Sequence, residues 1–343
     1  MTAQLSPLPS TLAPWPSGGR RLSVVIPAKD ERVGLEAVLE AVYVVLRECG
    51  LEHEVIVVDD GSRDGTFERL RELLPRYPGL RGVRLSRNYG KEAALLAGLR
   101  VATGDAVITM DADLQHPPAL IPEMVARWRE GARVVHGIKR RASGARRRDR
   151  LASSAFNRLM RWLAGIEMRH ASDFTLLDRV AVDVIVRQLP ERQRFYRALT
   201  RWVGFRQDTV TFDVRPRSKG RSAWSFARLF DLAATGIVSF TSLPLRLVTV
   251  LGFLTLVFAV VVAVETLWSW FTGTSVSGYA TIEITLLFIG STIMISLGIL
   301  GEYVARIYDE VKGRPGYLVE EEIGAATAPG AEPKVAQMPS GGL

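Results

Sequence analysis

Through the first 140 residues, short β-branched runs alternate with stretches whose apolar positions recur every three or four residues. "RLSVVIP" (21–27), "EVIVVDD" (54–60), "GVRLS" (82–86), "DAVITMD" (105–111) and "RVVHG" (133–137) read as strands. Between them, 31–48, 65–75, 90–102 and 117–130 read as amphipathic helices. Near-continuous apolar strands separated by helices predict an α/β fold, with a mostly parallel sheet covered on both faces. Ligands of such sheets bind beyond the carboxyl ends of the strands. The polar motifs fall there: "PAKDE" (27–31), "DDGSRDGT" (59–66), "SRNYGKE" (86–92) and "DADLQHPP" (111–118). That coincidence marks residues 21–222 as a binding or catalytic domain.

The pattern changes after residue 244. Leu247–Val264 and Ile284–Gly301 are each 18 residues without a charge. At about 1.5 Å per residue each spans roughly 27 Å, close to the hydrocarbon thickness of a bilayer. A buried soluble helix is the competing reading for one such run, and two in succession favour a transmembrane pair over 245–306. Arg246 precedes the first run and Arg306, Lys312 and Arg314 follow the second, while the linker Glu265–Glu283 has no Lys or Arg. The positive-inside rule then places both termini and the amino-terminal domain in the cytosol, as a multi-pass protein of the cytoplasmic membrane. Trp224, Phe226, Leu229, Phe230 and Leu232 predict an interfacial amphipathic helix over 223–244. Residues 1–20, rich in Pro, Ser, Gly and Thr, read as a loose tail, and 307–343 as a largely disordered cytosolic one.

Charge and cysteine content narrow the chemistry. The net charge of +8 is concentrated in "KRRASGARRRDR" (139–150) and "RPRSKGR" (215–221). No nucleic-acid motif accompanies it, so anionic headgroups or a phosphorylated substrate are the better partners. Cys49 is the single cysteine and the four histidines lack ligand spacing, which excludes disulfide frameworks and Cys-based metal sites.

The motifs at the strand ends suggest their own chemistry. In "DDGSRDGT", turn and capping requirements explain Gly61, Ser62 and Asp64 but not both Asp59 and Asp60. In "MDADLQHPP", a strand carried through Asp113 would point Asp111 and Asp113 to one side. Such a carboxylate pair is stabilised by a cation, and oxygen ligands favour Mg²⁺ or Mn²⁺ held together with substrate phosphates. Pro117 and Pro118 suit the first turn of the helix that follows.

The ordered set "VVIPAKDE … VVDDGSRDGT … LSRNYGKEAALLAGL … MDADLQHPP" resembles family 2 glycosyltransferases with a GT-A, Rossmann-like nucleotide-sugar domain. Within them it is most similar to the polyprenyl-phosphate glycosyltransferases, among them bacterial undecaprenyl-phosphate glucosyltransferases and dolichyl-phosphate mannose synthase. "SDFTLLDRVAVDVIVRQLPERQRFYRALTRWVGF" (172–205) and the carboxyl-terminal hairpin extend the likeness across roughly 21–317. The resemblance implies a nucleotide-sugar donor site of Pro27, Ala28, Asp30, Glu31, Asp59, Asp60, Asn88, Lys91, Ala112 and Lys139, with Asp59 or Asp60 meeting the base. It implies that Asp111, Asp113 and Gln115 hold Mg²⁺ or Mn²⁺ and the diphosphate. Arg150 and Ser154 match an acceptor-phosphate pattern, Asp173 a catalytic-side carboxylate, Arg194 the "ERQRF" acceptor loop, and Arg217 an arginine that reaches the phosphates. The chain departs from the family at Asp30, where Asn is usual, at Ala28–Lys29, which lack an aromatic, and at Ala223, where a lysine belongs.

The resemblance implies inverting transfer of a hexose, glucose as first guess, from a UDP- or GDP-sugar to a polyprenyl phosphate for cell-envelope glycosylation. A processive polysaccharide synthase is the alternative. It would show Gln-x-x-Arg-Trp and more spans, but Ala198 stands where that Gln belongs, before Arg201-Trp202. A non-catalytic nucleotide-sugar sensor would not need Asp111, Asp113 and the basic acceptor-side residues together. A homo-oligomer is compatible with all three.

Overall fold

The structure is a computed structural model and describes residues 21–140, 173–189, 196–213, 243–273 and 278–324. The five expected strands form: β1 (Arg21–Ala28), β2 (Glu52–Asp59), β3 (Leu80–Leu85), β4 (Ala106–Thr109) and β5 (Val134–Arg140). So do the four helices between them: α1 (Leu35–Cys49), α2 (Thr66–Leu73), α3 (Lys91–Val101) and α4 (Ile121–Arg129). Strands β3, β2, β1 and β4 lie side by side and parallel.

Alternation of side chains explains why these strands are apolar throughout. Val24, Ile26, Val55, Val57 and Ile108 pack on one face, with α1, α2 and α4. Val25, Ile56, Val58 and Val107 pack on the other, with α3. A period of two on a sheet covered twice leaves few polar positions inside the strands, and buried ones are paired, as Ser23 is with Glu54 at 2.7 Å. Polarity is therefore displaced to their ends.

Three strands lie outside the expected set. β6 (Thr175–Asp178) inserts between β4 and β5, antiparallel to both. β7 (Gln207–Asp213) pairs parallel with β5. β8 (Val319–Ile323) pairs antiparallel with β3, in a stretch expected to be disordered tail. The acidic composition of "VEEEI" hid the strand, because its Glu side chains face the Arg-rich edge of the domain rather than a core. Glu321 lies 2.6 Å from Arg71 and Glu320 3.5 Å from Arg84, while Ile323 packs against the core. Among the described residues the sheet has eight strands, in the order β7-β5-β6-β4-β1-β2-β3-β8. It is mixed rather than mostly parallel.

Two short helices, α5 (Arg179–Asp183) and α6 (Tyr196–Trp202), follow β6. Between β7 and β8 run α7 (Leu243–Phe271) and α8 (Tyr279–Val311). Within them Val248–Phe271 and Ile284–Val311 are long and apolar enough to cross a membrane, and neither is buried by the rest of the described chain. The helices contact each other, with Phe258 and Phe288 rings 5.1 Å apart. The pair is thus bracketed in sequence by the two edge strands of one sheet, whose seven inter-strand steps amount to about 34 Å.

Candidate active site

The loops after β1, β2, β3 and β4 meet over the carboxyl edge of the sheet and are tied together by short polar links. The backbone N–H of Asp30 donates to Ser62 Oγ at 2.8 Å, and Asp30 Oδ1 accepts from Arg63 N at 2.9 Å. Asp60 accepts from Tyr89 N at 2.7 Å and Gly90 N at 2.9 Å. Gly61 has φ +64°, and a Cβ there would lie 2.5 Å from the backbone of Arg87, so only glycine allows the β2 and β3 loops this approach.

Two adjoining cavities lie among these loops. The first, about 320 Å³, is lined by Pro27, Ala28, Lys29, Glu31, Asp60, Asn88, Gly90, Lys91, Ala94, Asp111, Ala112 and Asp113. The second, about 500 Å³, shares Lys29 and Asn88 with the first and adds Asp30, Ser62, Arg84, Arg87 and Glu320 among its walls.

At the floor of the first cavity, Lys91 at the start of α3 carries its ammonium 2.5 Å from Asp111 and 2.5 Å from Asp173. Arg197 of α6 grips the same Asp173 carboxylate through Nε and an Nη, both at 2.6 Å. Burial would push Asp173 up, but Arg197 and then Lys91 outweigh it and hold its carboxyl well below the usual range. Burial would likewise lower Lys91, yet Asp173 and Asp111 raise it. Thr109 Oγ1 donates to the Asp173 carbonyl at 2.6 Å and lies 2.9 Å from the Tyr196 hydroxyl, fixing the Asp173 backbone to β4. His116 Nδ1 accepts from Asp111 N at 3.2 Å and its ring stacks on Phe174. Burial keeps its pKa low, which suits a neutral acceptor.

Asp111 and Asp113 both face the first cavity, with Glu31 near enough to feel both charges. Burial and then Asp113 raise the Glu31 pKa. No group of three His, Cys, Asp or Glu that could hold a metal occurs among the described residues. The donor set fits a hard cation that takes two carboxylates and completes its shell with substrate phosphate oxygens.

Residues 23–199 match the family described as Glycosyl transferase family 2. The chain belongs to that family. It is 41% identical over 305 residues to an uncharacterized glycosyltransferase, sll0501, of Synechocystis sp., covering 88% of this chain and 95% of that one. It is 33% identical over 306 residues to the SfII prophage-derived bactoprenol glucosyl transferase of Shigella flexneri, covering 88% and 98%. A crystal structure of glucosyl-3-phosphoglycerate synthase from Mycobacterium tuberculosis with Mn²⁺ and UDP-glucose aligns with a TM-score of 0.44 at 24% identity, over 64% of this chain and 77% of that one.

In this glycosyltransferase the GT-A-type sheet brings together Pro27, Ala28, Glu31, Asp60, Asn88, Lys91, Asp111, Ala112 and Asp113 around the first cavity, and Asp30 and Asn88 around the second. Asp59 lies beneath them, fully buried. Gln115 and Lys139 line neither cavity: Gln115 gives its backbone N–H to Asp113, and Lys139 pairs in register with Phe212 of β7. Arg150, Ser154, Arg194, Arg217, Ala223 and residues 223–242 of the interfacial helix expected over 223–244 lie outside the described residues, while 243 and 244 begin α7.

The expected placement of the carboxylate pair along a strand is corrected. β4 stops at Thr109, so Asp111 and Asp113 sit in the turn that follows, where Leu114 has φ +55°. Turn geometry and not strand alternation brings both to one cavity. Lys91 also brings a positive charge to the pair, 2.5 Å from Asp111. Arg197 and His116 were not anticipated, nor was Glu92, which accepts the Tyr196 N–H at 2.8 Å beside Lys91. Asp173 and Arg197 are 24 residues apart, on either side of β6 and α5, and no sequence spacing announces such a pair.

Proposed function

We propose that this glycosyltransferase moves a hexose, with inversion, from a nucleoside-diphosphate sugar to a polyprenyl phosphate at the cytoplasmic face of a membrane. The observation that carries this reading is the union of two features in one chain. The carboxylate-lined cavity pair can take a nucleoside diphosphate, and the α7–α8 hairpin exposes two membrane-length apolar surfaces. An acceptor with a lipid tail explains why a sugar-transfer domain should carry that hairpin. The name of the Shigella relative supports both the acceptor and glucose.

The residues divide the work. The second cavity receives the nucleoside and the first the diphosphate and sugar, with Asn88 and Lys29 at their junction. A divalent cation on Asp111 and Asp113, Mg²⁺ or Mn²⁺, would neutralise charge on the leaving diphosphate. Lys91 and Arg197 concentrate positive charge beside Asp173, where phosphate oxygens can approach. The acceptor phosphate is already mostly a dianion at neutral pH, its second pKa being about 6. One of its oxygens attacks the anomeric carbon, the bond from that carbon to the diphosphate breaks, and the nucleoside diphosphate leaves with the electron pair. No proton need be removed. Asp173, held strongly acidic, positions the two cations and is not the base. Arg150, Ser154, Arg194 and Arg217 are assigned to the acceptor side.

The test is transfer of labelled glucose from UDP-glucose into undecaprenyl phosphate by the purified full-length protein with Mg²⁺ or Mn²⁺. GDP-mannose and UDP-N-acetylglucosamine serve as competing donors. Asp111→Asn and Asp113→Asn are expected to lower transfer at least 100-fold with the melting temperature retained. Full activity in EDTA sinks the metal assignment. Transfer to water or to a growing polysaccharide, with none to the lipid, sinks the acceptor.

A further inference from the structure

The turn after β4 carries both carboxylates of the first cavity, and side chains rather than the sheet hold its backbone. β4 stops at Thr109, and Met110 N–H still donates to the Val25 carbonyl of β1 at 3.1 Å. The next amide, that of Asp111, donates to His116 Nδ1 at 3.2 Å. Asp113 Oδ1 then accepts from Gln115 N at 3.0 Å. Between Asp113 and Gln115, Leu114 sits at φ +55°, a conformation that a leucine keeps only where its surroundings impose it. Backbone groups beyond a strand end need partners, and here one imidazole and one carboxylate supply them.

His116 is itself anchored from the Asp173 side of the site. Its ring stacks on Phe174 with centroids 5.2 Å apart and planes within 10° of parallel. Phe174 is fully buried, meets Phe212 of β7 edge to face, and follows Asp173 directly in the chain. The imidazole therefore joins the backbone of Asp111 to the segment that carries Asp173, while Lys91 joins the two carboxylates. The links differ in kind: the lysine makes ion pairs from a flexible stem, and the histidine makes a directional bond from a packed ring. An amide nitrogen only donates, so His116 Nδ1 is the unprotonated ring nitrogen and the ring N–H lies on Nε2. Asp111 Oδ2 stands 3.9 Å from Nδ1, beyond hydrogen-bond reach. The histidine thus orients Asp111 through its backbone, without taking up its carboxylate.

We propose that His116 is a positioning residue for the cation: by fixing the Asp111 amide it holds the turn in which Asp111 and Asp113 face one cavity. This rests on the reading of those two carboxylates as ligands of Mg²⁺ or Mn²⁺. It gives the histidine of "DADLQHPP" a task that the helix-starting role of the two prolines does not explain. It also ties cation affinity to the aromatic packing of the β6 and β7 segments.

The experiment uses two variants of the full-length protein in detergent that divide the histidine's contacts. His116→Phe keeps a ring to stack on Phe174 but offers no acceptor. His116→Asn offers an oxygen near the place of Nδ1 but no ring. Mn²⁺ is titrated in the presence of UDP and, separately, GDP, and free Mn²⁺ is read by electron paramagnetic resonance against a protein-free nucleotide blank. For the diphosphate that supports tighter Mn²⁺ binding in wild type, His116→Phe is expected to raise the Mn²⁺ Kd about tenfold, the worth of one hydrogen bond. Its melting temperature without metal should stay close to that of wild type. His116→Asn should melt several degrees lower, because the ring's packing is lost, yet keep the Mn²⁺ Kd within about threefold of wild type. That crossed pattern separates positioning from mere packing. An unchanged Mn²⁺ Kd in His116→Phe, or an equal weakening in both variants, overturns the inference alone. If wild type binds no Mn²⁺ with either diphosphate, the metal assignment falls and this inference with it.

Discussion

The Lys91 ammonium lies 2.5 Å from a carboxylate oxygen of Asp111 and 2.5 Å from one of Asp173, joining the β4 loop to the segment that leads into β6. A single flexible cation thus holds two anions that belong to opposite ends of the proposed reaction. It also competes with any metal for Asp111. Lys91→Met is expected to bind Mn²⁺ several-fold more tightly without donor, because Asp111 is then unpaired, yet to transfer sugar far more slowly. The electron paramagnetic resonance signal of free Mn²⁺ reads the first effect and radiolabel transfer the second. Equal Mn²⁺ affinity in both proteins would show that the lysine does not occupy the cation's place.

Asp173 gives a prediction about pH. Its carboxyl sits well below the usual range, so it stays ionised across the working range and contributes no acid limb to the rate profile. The acid limb should instead fall near pH 6, where the acceptor phosphate protonates. Asp173→Asn should reduce kcat by roughly 100-fold or more, since Lys91 and Arg197 lose their common anchor, while the residual activity keeps the same limb. A limb that disappears in the variant would restore Asp173 as a base.

Glu92, the residue after Lys91, behaves oppositely to Asp173. It accepts the Tyr196 N–H at 2.8 Å, and burial pushes its carboxyl from 4.5 up to about 7. The folded state therefore binds this proton more tightly than the unfolded chain. Stability is greatest below about pH 4.5 as far as this group is concerned, declines as pH rises, and levels off above about 7. The loss is on the order of 3 kcal/mol. Glu92→Gln, whose amide oxygen can still accept from Tyr196, should flatten that slope in thermal melts between pH 5 and 8. An identical slope in the variant would mean that Glu92 titrates normally.

Gly82 of β3 pairs with Ile323 of β8, and a Cβ there would stand 2.6 Å from Leu70 and 2.7 Å from Ile323. Gly82→Val must displace one of them, at a cost of about 1–3 kcal/mol. The tail should then become sensitive to limited proteolysis near residue 318 at protease levels that leave wild type intact. Unchanged cleavage and melting would indicate that β8 is not seated on β3.

The hairpin orientation can be read by labelling. In a Cys49→Ser background, Thr272→Cys, at the end of α7, should react with an impermeant maleimide on intact cells. Gly316→Cys, beyond α8, should react only after permeabilisation. The reverse pattern would invert the topology.

Much of this protein was determined by local pattern. The apolar strands, the helices between them and the two long uncharged runs all follow from short-range periodicity, because burial on both sheet faces or in lipid leaves a continuous apolar signature. The turn residues were equally legible: Gly61 and the prolines of "HPP" announce their backbone needs directly. The tertiary structure decided what depends on distance along the chain. Asp111 and Asp113 share a cavity through a turn, Lys91 and Arg197 reach Asp173 across 82 and 24 residues, and an acidic segment after the second long helix becomes a strand. Ion pairs and edge-strand additions carry no period, since each needs only one side chain or one free row of backbone groups. Where such a partner waits is set by the fold and not by the neighbouring residues.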